Sequence, residues 1–313
     1  MHPALAVIFL TLFSGGGFGL MALTALVNDF QIDGGLNPLQ TMIALIISMA
    51  FVSIGLLSST AHLANPKNAW RAFTRWRTSW LAREGVFAVM YYPFAFLYLV
   101  WVFFTGGTHD AIGLILANLA AIIGLITIFC QGMIYAVLRT MRQWNTPLVP
   151  ANFYAMGLAI GATWLAAIQQ ITTGQPDPAL IGIAAALLVA TGVLKGIYYF
   201  WISRPGGPTI RTATGFNRFS VRILDQGHTF GTFLTEEFGH RLPPAKAKSI
   251  KILMYLIAII LPLALLAIAL WGQVAALAVL AALLVLTGFG VERWLFFIEA
   301  QHVVNLYHGR QQC

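Results

Sequence analysis

Charge is scarce in this chain: Asp, Glu, Lys and Arg together make up 9% of 313 residues, against roughly a quarter in an ordinary soluble domain. Hydrophobic residues supply 59%, which excludes a water-soluble fold of this size. Cysteine is scarcer still. Cys130 and Cys313 are the only two, and without a CxxC or a Cys/His cluster the chain by itself holds neither an iron-sulfur cluster nor a structural zinc site. The seven histidines are His2, His62, His109, His228, His240, His302 and His308, and none falls in the middle of a long apolar run. A b-type haem needs two imidazoles facing each other inside a bundle, so the sequence reads as haem-free. Acidic residues are outnumbered 18 to 10, for a net charge of +8; in so apolar a chain that excess reports topology rather than affinity for nucleic acid.

What the chain has instead is uninterrupted hydrophobicity. Apolar runs occur at about 4–27, 39–63, 85–104, 111–138, 151–172, 179–200, 250–271 and 274–298, each near the 20 residues that cross a hydrocarbon core about 30 Å thick. Every backbone N–H and C=O in that solvent must be satisfied within its own segment, and the alternation of a transmembrane barrel is absent. The expectation is an all-α integral membrane protein, a single polytopic bundle of eight transmembrane helices over residues 1–313. No basic residue precedes the first run, which therefore reads as a retained helix rather than a signal peptide.

The basic residues sort to one side. Lys67, Arg71, Arg75, Arg77 and Arg83 lie between the second and third runs, and Arg139 and Arg142 between the fourth and fifth. Nine more, from Lys195 to Lys251, lie between the sixth and seventh or at their ends, and Arg293 and Arg310 follow. The opposite loops carry Asp29, Asp33, Asp110 and Asp177 with His109. By the positive-inside rule both termini face the cytoplasm of a bacterial inner membrane.

Two elements stand out on that face. In Asn68 to Ala82, Trp70, Phe73, Trp76 and Trp80 recur at helix-like spacing with Arg71, Arg75 and Arg77 between them, which suits a helix in the headgroup layer within an interfacial segment at 64–83. The polar stretch 201–249, with Gly206, Gly207, Pro243 and Pro244, is longer than a connection requires and reads as a docking loop for a soluble partner. Gly15, Gly16, Gly17 and Gly19 mimic a phosphate loop, but no strand precedes them and no GK[ST] follows. Gly15 and Gly19 instead have the small-xxx-small spacing of close helix packing.

Ionisable groups at membrane depth are costly and are functional candidates. They crowd one depth: His62 at the end of the second run, Arg83 and Glu84 opening the third, Lys195 in the sixth, and Glu292, Arg293 and Glu299 in the eighth. A quinone site needs a hydrogen-bonding group for the ring oxygen, a protonatable neighbour and apolar access for the tail. His62 and Glu84 meet the first two needs as the candidate catalytic pair. Ser59, Arg83, Trp80, Tyr135 and Arg139 complete the expected pocket, and no metal site is expected. For Glu292 and Glu299, pairing with Arg293, Lys195 or Arg139 is favoured over a proton path.

A family resemblance rests on these same segments. His62-Leu63 with Pro66 and Ala69-Trp70-Arg71-Ala72-Phe73, then Trp76-Arg77-Thr78-Ser79-Trp80-Leu81-Ala82-Arg83-Glu84-Gly85, and later Glu292-Arg293-Trp294-Leu295-Phe296-Phe297 with Glu299-Ala300 and His302, resemble the membrane-anchor subunit of dimethyl sulfoxide reductase-type complexes. His2-Pro3, Phe9 and Ser14-Gly15 fit the same pattern. The resemblance implies an eight-helix, haem-free anchor that exchanges electrons between a membrane quinone, menaquinone or ubiquinone, and a four-cluster iron-sulfur subunit. That subunit in turn serves a molybdopterin catalytic subunit. It also implies that His62 and Glu84 take part in menaquinol binding. A cytoplasmic docking face resembles the sulfite-oxidising members, which implies quinone reduction. The alternatives are a menaquinol-oxidising anchor of a dimethyl sulfoxide reductase and, in another class, a secondary transporter.

Overall fold

In the computed structural model the described residues are 5–61, 65–204, 206–216, 218–225, 242–272, 274–308 and 310–312. Eight helices among them are long and apolar enough to cross a membrane: Leu5–Asp29, Pro38–Thr60, Trp80–Thr105, Ala111–Ala136, Leu148–Thr173, Pro178–Ser203, Pro244–Gly272 and Ala275–Ile298. They are called the first to eighth spans below. The eight apolar runs of the sequence correspond to them one for one, and no β-strand is present among the described residues.

Successive spans alternate in direction, as contacts between their connections show. At one end Asn28 Oδ1 accepts from Leu36 N, His109 Nδ1 lies 2.9 Å from the Asn28 carbonyl, and Gln40 donates to Thr172. At the other, Arg142 donates to the Arg204 carbonyl and Val303 N to the Thr140 carbonyl. The basic connections therefore share the end that holds Ile298.

The first and fifth spans form the centre. Their shared contact depends on glycine: a Cβ on Gly19 would meet the Gly157 carbonyl, and one on Gly161 would lie 2.4 Å from both Gly19 C and Leu20 N. Gly15 and Gly19 thus behave as their spacing predicts. Their mates Gly157 and Gly161 repeat the same interval on the fifth span. Between residues 10 and 14 the first span widens into a π turn, where the Ser14 hydroxyl donates to the Leu10 carbonyl at 2.5 Å. Such turns are local distortions of the backbone ladder and frequently occur at functional sites.

The aromatic and basic stretch differs from the helix expected over Asn68 to Ala82. A 3-10 helix runs over Pro66–Arg75 and a turn follows, after which the third span starts at Trp80 rather than near 85. Ser79 imposes the break. It is extended, at φ −117° and ψ 127°, and its hydroxyl accepts from Ala82 N as an N-cap.

Candidate functional site

Glu84 lies one turn inside the third span and is only 3% exposed. Gln131, from the fourth span, donates to Glu84 Oε1 at 2.9 Å and to the Ser14 hydroxyl at 2.7 Å. Three spans therefore meet at the Gln131 amide, and the π turn brings the Ser14 hydroxyl within its reach.

Glu84 also walls a cavity of about 440 Å³. Leu10, Leu56, Phe73, Leu81 and Val89 supply apolar lining, and Ser59, Thr60, Asn65 and Asn68 supply polar groups. Leu81 and Val89 are more than half exposed on the outer surface of the bundle, so the cavity borders the membrane side. On the third span Leu81, Glu84, Gly85 and Val89 fall on one helical face. Gly85 matters for closure: a Cβ there would stand 3.1 Å from the Phe73 ring, so its absence lets that ring lie against the span.

The expected site residues divide. Glu84 and Ser59 line the cavity together. His62 lies outside the described residues, although the cavity-lining Thr60 and Asn65 flank it in the chain. Arg83 and Trp80 face away from the cavity. The Arg83 guanidinium donates to the carbonyls of Trp76 and Arg77 at 2.9 and 2.7 Å and stacks 4.2 Å from the Trp80 ring, which in turn meets Phe129 edge to face. Arg83 thus clips the preceding turn to the span instead of lining the pocket. Tyr135 is buried one turn beyond Gln131, among Trp144, Phe153, Phe296 and Phe297. Arg139 follows the end of the fourth span and is exposed. Neither belongs to the cavity lining.

Gln131 and Ser14 are the partners that sequence reasoning missed. Gln131 carried a signal, since an amide inside the apolar run Ile128-Phe129-Cys130-Gln131-Gly132 requires a partner.

A second polar centre lies deeper. Glu292 pairs with Lys195 and with Arg293 Nε at 2.8 Å, all three essentially buried. The Arg293 guanidinium lies 4.0 Å over Phe153. The internal pairing expected for Glu292 is present, and Glu299 pairs with Lys251 at 2.6 Å rather than with Arg139. Beside Arg293 lies a void of about 10 Å³ that Thr11 also lines, enough for about one water. Thr11 and Ser14 belong to the same π-distorted stretch, so polar groups of the two centres approach through the first span.

Two other hollows lack this combination. The groove of about 460 Å³ between the first and eighth spans, from Leu5 to Trp294, contains no ionisable side chain. The hollow of about 370 Å³ beside Lys251 and Glu299 lies at the basic end of the bundle. Among these three large hollows, the Glu84 cavity is the one that joins a buried carboxyl to an apolar wall at the outer surface.

The family model described as DMSO reductase anchor subunit (DmsC) matches residues 1–298. The chain is also 31% identical, over 323 aligned residues, to a sulfite dehydrogenase subunit from Allochromatium vinosum, with 98% of this chain and 99% of that protein covered. With eight apolar spans arranged as above, this chain belongs to the DMSO reductase anchor subunit (DmsC) family.

Proposed function

We propose that the Glu84 cavity is a quinone site and that the chain carries electrons between the membrane quinone pool and an iron-sulfur subunit docked on its basic end. As a family member it is a membrane-anchor subunit of an oxidoreductase complex. The carrying observation is Glu84 itself, a buried carboxyl in the wall of a cavity that borders the outer apolar surface. About 440 Å³ falls within the range of small-molecule sites, which bury an apolar body and orient it with few polar groups.

A quinone bound there supplies a couple of two electrons and two protons. The residues present fit such a group, with Ser59, Thr60, Asn65 and Asn68 near the wall as hydrogen-bonding groups and Leu81 and Val89 along the outer side. Glu84 holds or releases a proton at its carboxyl, and the Gln131 amide fixes which way that carboxyl faces. His62 is the second protonatable group of the proposal because the chain on both sides of it lines the cavity.

Orientation and partners follow from charge. The basic end faces the cytoplasm, where the stretch 201–249 and the loop with Arg142 receive the iron-sulfur subunit, which is joined to a molybdopterin catalytic subunit. The name of the Allochromatium relative favours sulfite oxidation with quinone reduction over menaquinol oxidation. Transport has no comparable support, since the polar groups crowd one end rather than the midplane where transporters bind their substrates.

Glu84→Gln and His62→Gln are expected to abolish quinone-linked turnover while the complex assembles and still reduces or oxidises a soluble dye. Unchanged quinone turnover in both variants rejects the site.

A further inference from the structure

We propose that the 3-10 helix Pro66–Arg75, with Trp76 and Arg77, binds the headgroups of anionic phospholipids, and that lipid held there sets the position of the cavity wall. The coupling to the cavity rests on the quinone reading; the lipid site does not.

The segment from Asn65 to Ser79 contains Lys67, Arg71, Arg75 and Arg77 and no acidic residue. None of the four forms a salt bridge among the described residues, and all are exposed. Such a cluster of like charge repels itself unless an anion covers it. Aromatic rings lie between the cations. Trp70 and Trp76 are 60% and 46% exposed, and the guanidiniums of Arg71 and Arg77 lie 5.8 and 5.7 Å from their ring centroids. Indole rings with cations beside them match the boundary between acyl chains and headgroups.

The surroundings favour a lipid over a protein partner. Leu57 on the second span and Leu81 and Val89 on the third are exposed apolar side chains flanking the segment, so its aromatic surface continues the belt that faces acyl chains. Anionic headgroups accumulate at basic juxtamembrane segments, and that attraction weakens with salt.

Four of the same ten residues form part of the cavity wall. Asn68, Ala69, Ala72 and Phe73 line the hollow that contains Glu84, while Arg71 and Arg75 alternate with them along the chain. Two anchors hold the segment: the Arg83 bonds to the carbonyls of Trp76 and Arg77, and the contact of Phe73 with Gly85. Both lie toward its C-terminal half. A headgroup bridging Lys67 and Arg71 would hold the N-terminal half against the bundle and keep the wall in one place.

The test uses the intact complex in nanodiscs of phosphatidylcholine alone or mixed with phosphatidylglycerol. Brominated phosphatidylglycerol should quench the fluorescence lost in a Trp70→Phe/Trp76→Phe variant more strongly than brominated phosphatidylcholine. The triple variant Arg71→Gln/Arg75→Gln/Arg77→Gln should abolish that preference. The quinone KM should rise about three- to tenfold without phosphatidylglycerol, and in the triple variant it should be raised in either lipid. Equal quenching by both lipids overturns the lipid site. Quenching in the isolated chain that disappears in the assembled complex overturns it in favour of a protein partner. A lipid preference with an unchanged KM overturns the coupling alone. Glu84→Gln separates the two readings, because it should remove quinone turnover and leave the lipid preference intact.

Discussion

Gly161 of the fifth span faces Gly19 of the first so closely that backbone, not side chain, occupies the space where a Cβ would stand. Side chains can rotate away from an added methyl group, but a helix backbone has to move as a unit. Gly161→Ala should therefore lower stability by about 1–3 kcal/mol, the usual range for overpacking, and Gly161→Leu should prevent accumulation of folded protein. Gly182→Ala is the control, since nothing lies within 4 Å of its added Cβ, and it should be neutral or slightly stabilising. Thermal unfolding in detergent, followed by gel filtration, measures all three.

Gln131→Leu tests the orienting role of the amide. It removes a bond to a buried carboxyl and leaves that acceptor without its partner, a loss of about 1–3 kcal/mol. Under the proposed function, quinone-linked turnover should fall about 10- to 100-fold, while dye-linked activity and assembly persist. Gln131→Glu places two acidic groups side by side and should be as damaging. Turnover unchanged in Gln131→Leu would remove the amide from the mechanism.

The buried trio of Lys195, Glu292 and Arg293 predicts an order rather than a single value. Glu292→Gln leaves two cations without their shared anion and should cost about 3–5 kcal/mol, as breaking a buried pair does. Lys195→Met leaves Glu292 matched by Arg293 at 2.8 Å and should cost less. Unfolding free energies in detergent that reverse this order would show that Glu292 is not the group the cations depend on.

His302, beyond the eighth span, supplies a pH dependence. Its Nδ1 accepts from Val304 N at 3.0 Å, and the adjacent Val303 N donates to the Thr140 carbonyl, which docks the C-terminal segment on the loop after the fourth span. Burial holds its pKa below the ordinary 6.5. The undocked segment therefore takes up a proton first as pH falls, so the docked form is fully favoured above about 6.5 and loses ground below it. Hydrogen exchange at Val303, corrected for its intrinsic pH dependence, should report more frequent opening at about pH 5.5 than at about pH 7.5 in the native protein. His302→Asn should flatten that dependence, and an opening frequency independent of pH in the native chain would exclude the histidine.

The spans were legible because each is a local property: about 20 apolar residues in a row find no other solvent than lipid. Glu84 and Ser59 were legible for a related reason, being polar groups at the ends of such runs. Arg83, Trp80, Tyr135 and Arg139 share their depth, but depth says nothing of direction around a helix. The Ser79 cap and the Arg83 bonds turn Trp80 toward Phe129, and Tyr135 points into an aromatic cluster that Trp144 and Phe153 form with the distant Phe296 and Phe297.

By itself the sequence determined that this chain lives in a membrane, crosses it eight times, gathers its cations at one end and belongs with the anchor subunits, because hydropathy, charge and motif are written along the chain. Tertiary structure decided that Gln131 joins Ser14 to Glu84, that Gly157 and Gly161 receive Gly15 and Gly19, and that a 3-10 helix walls the cavity. Those relationships join residues up to 142 positions apart, as 161 − 19 for the two glycines shows. They arise only when helices pack, since a buried polar atom must find its partner across a contact that no local pattern encodes.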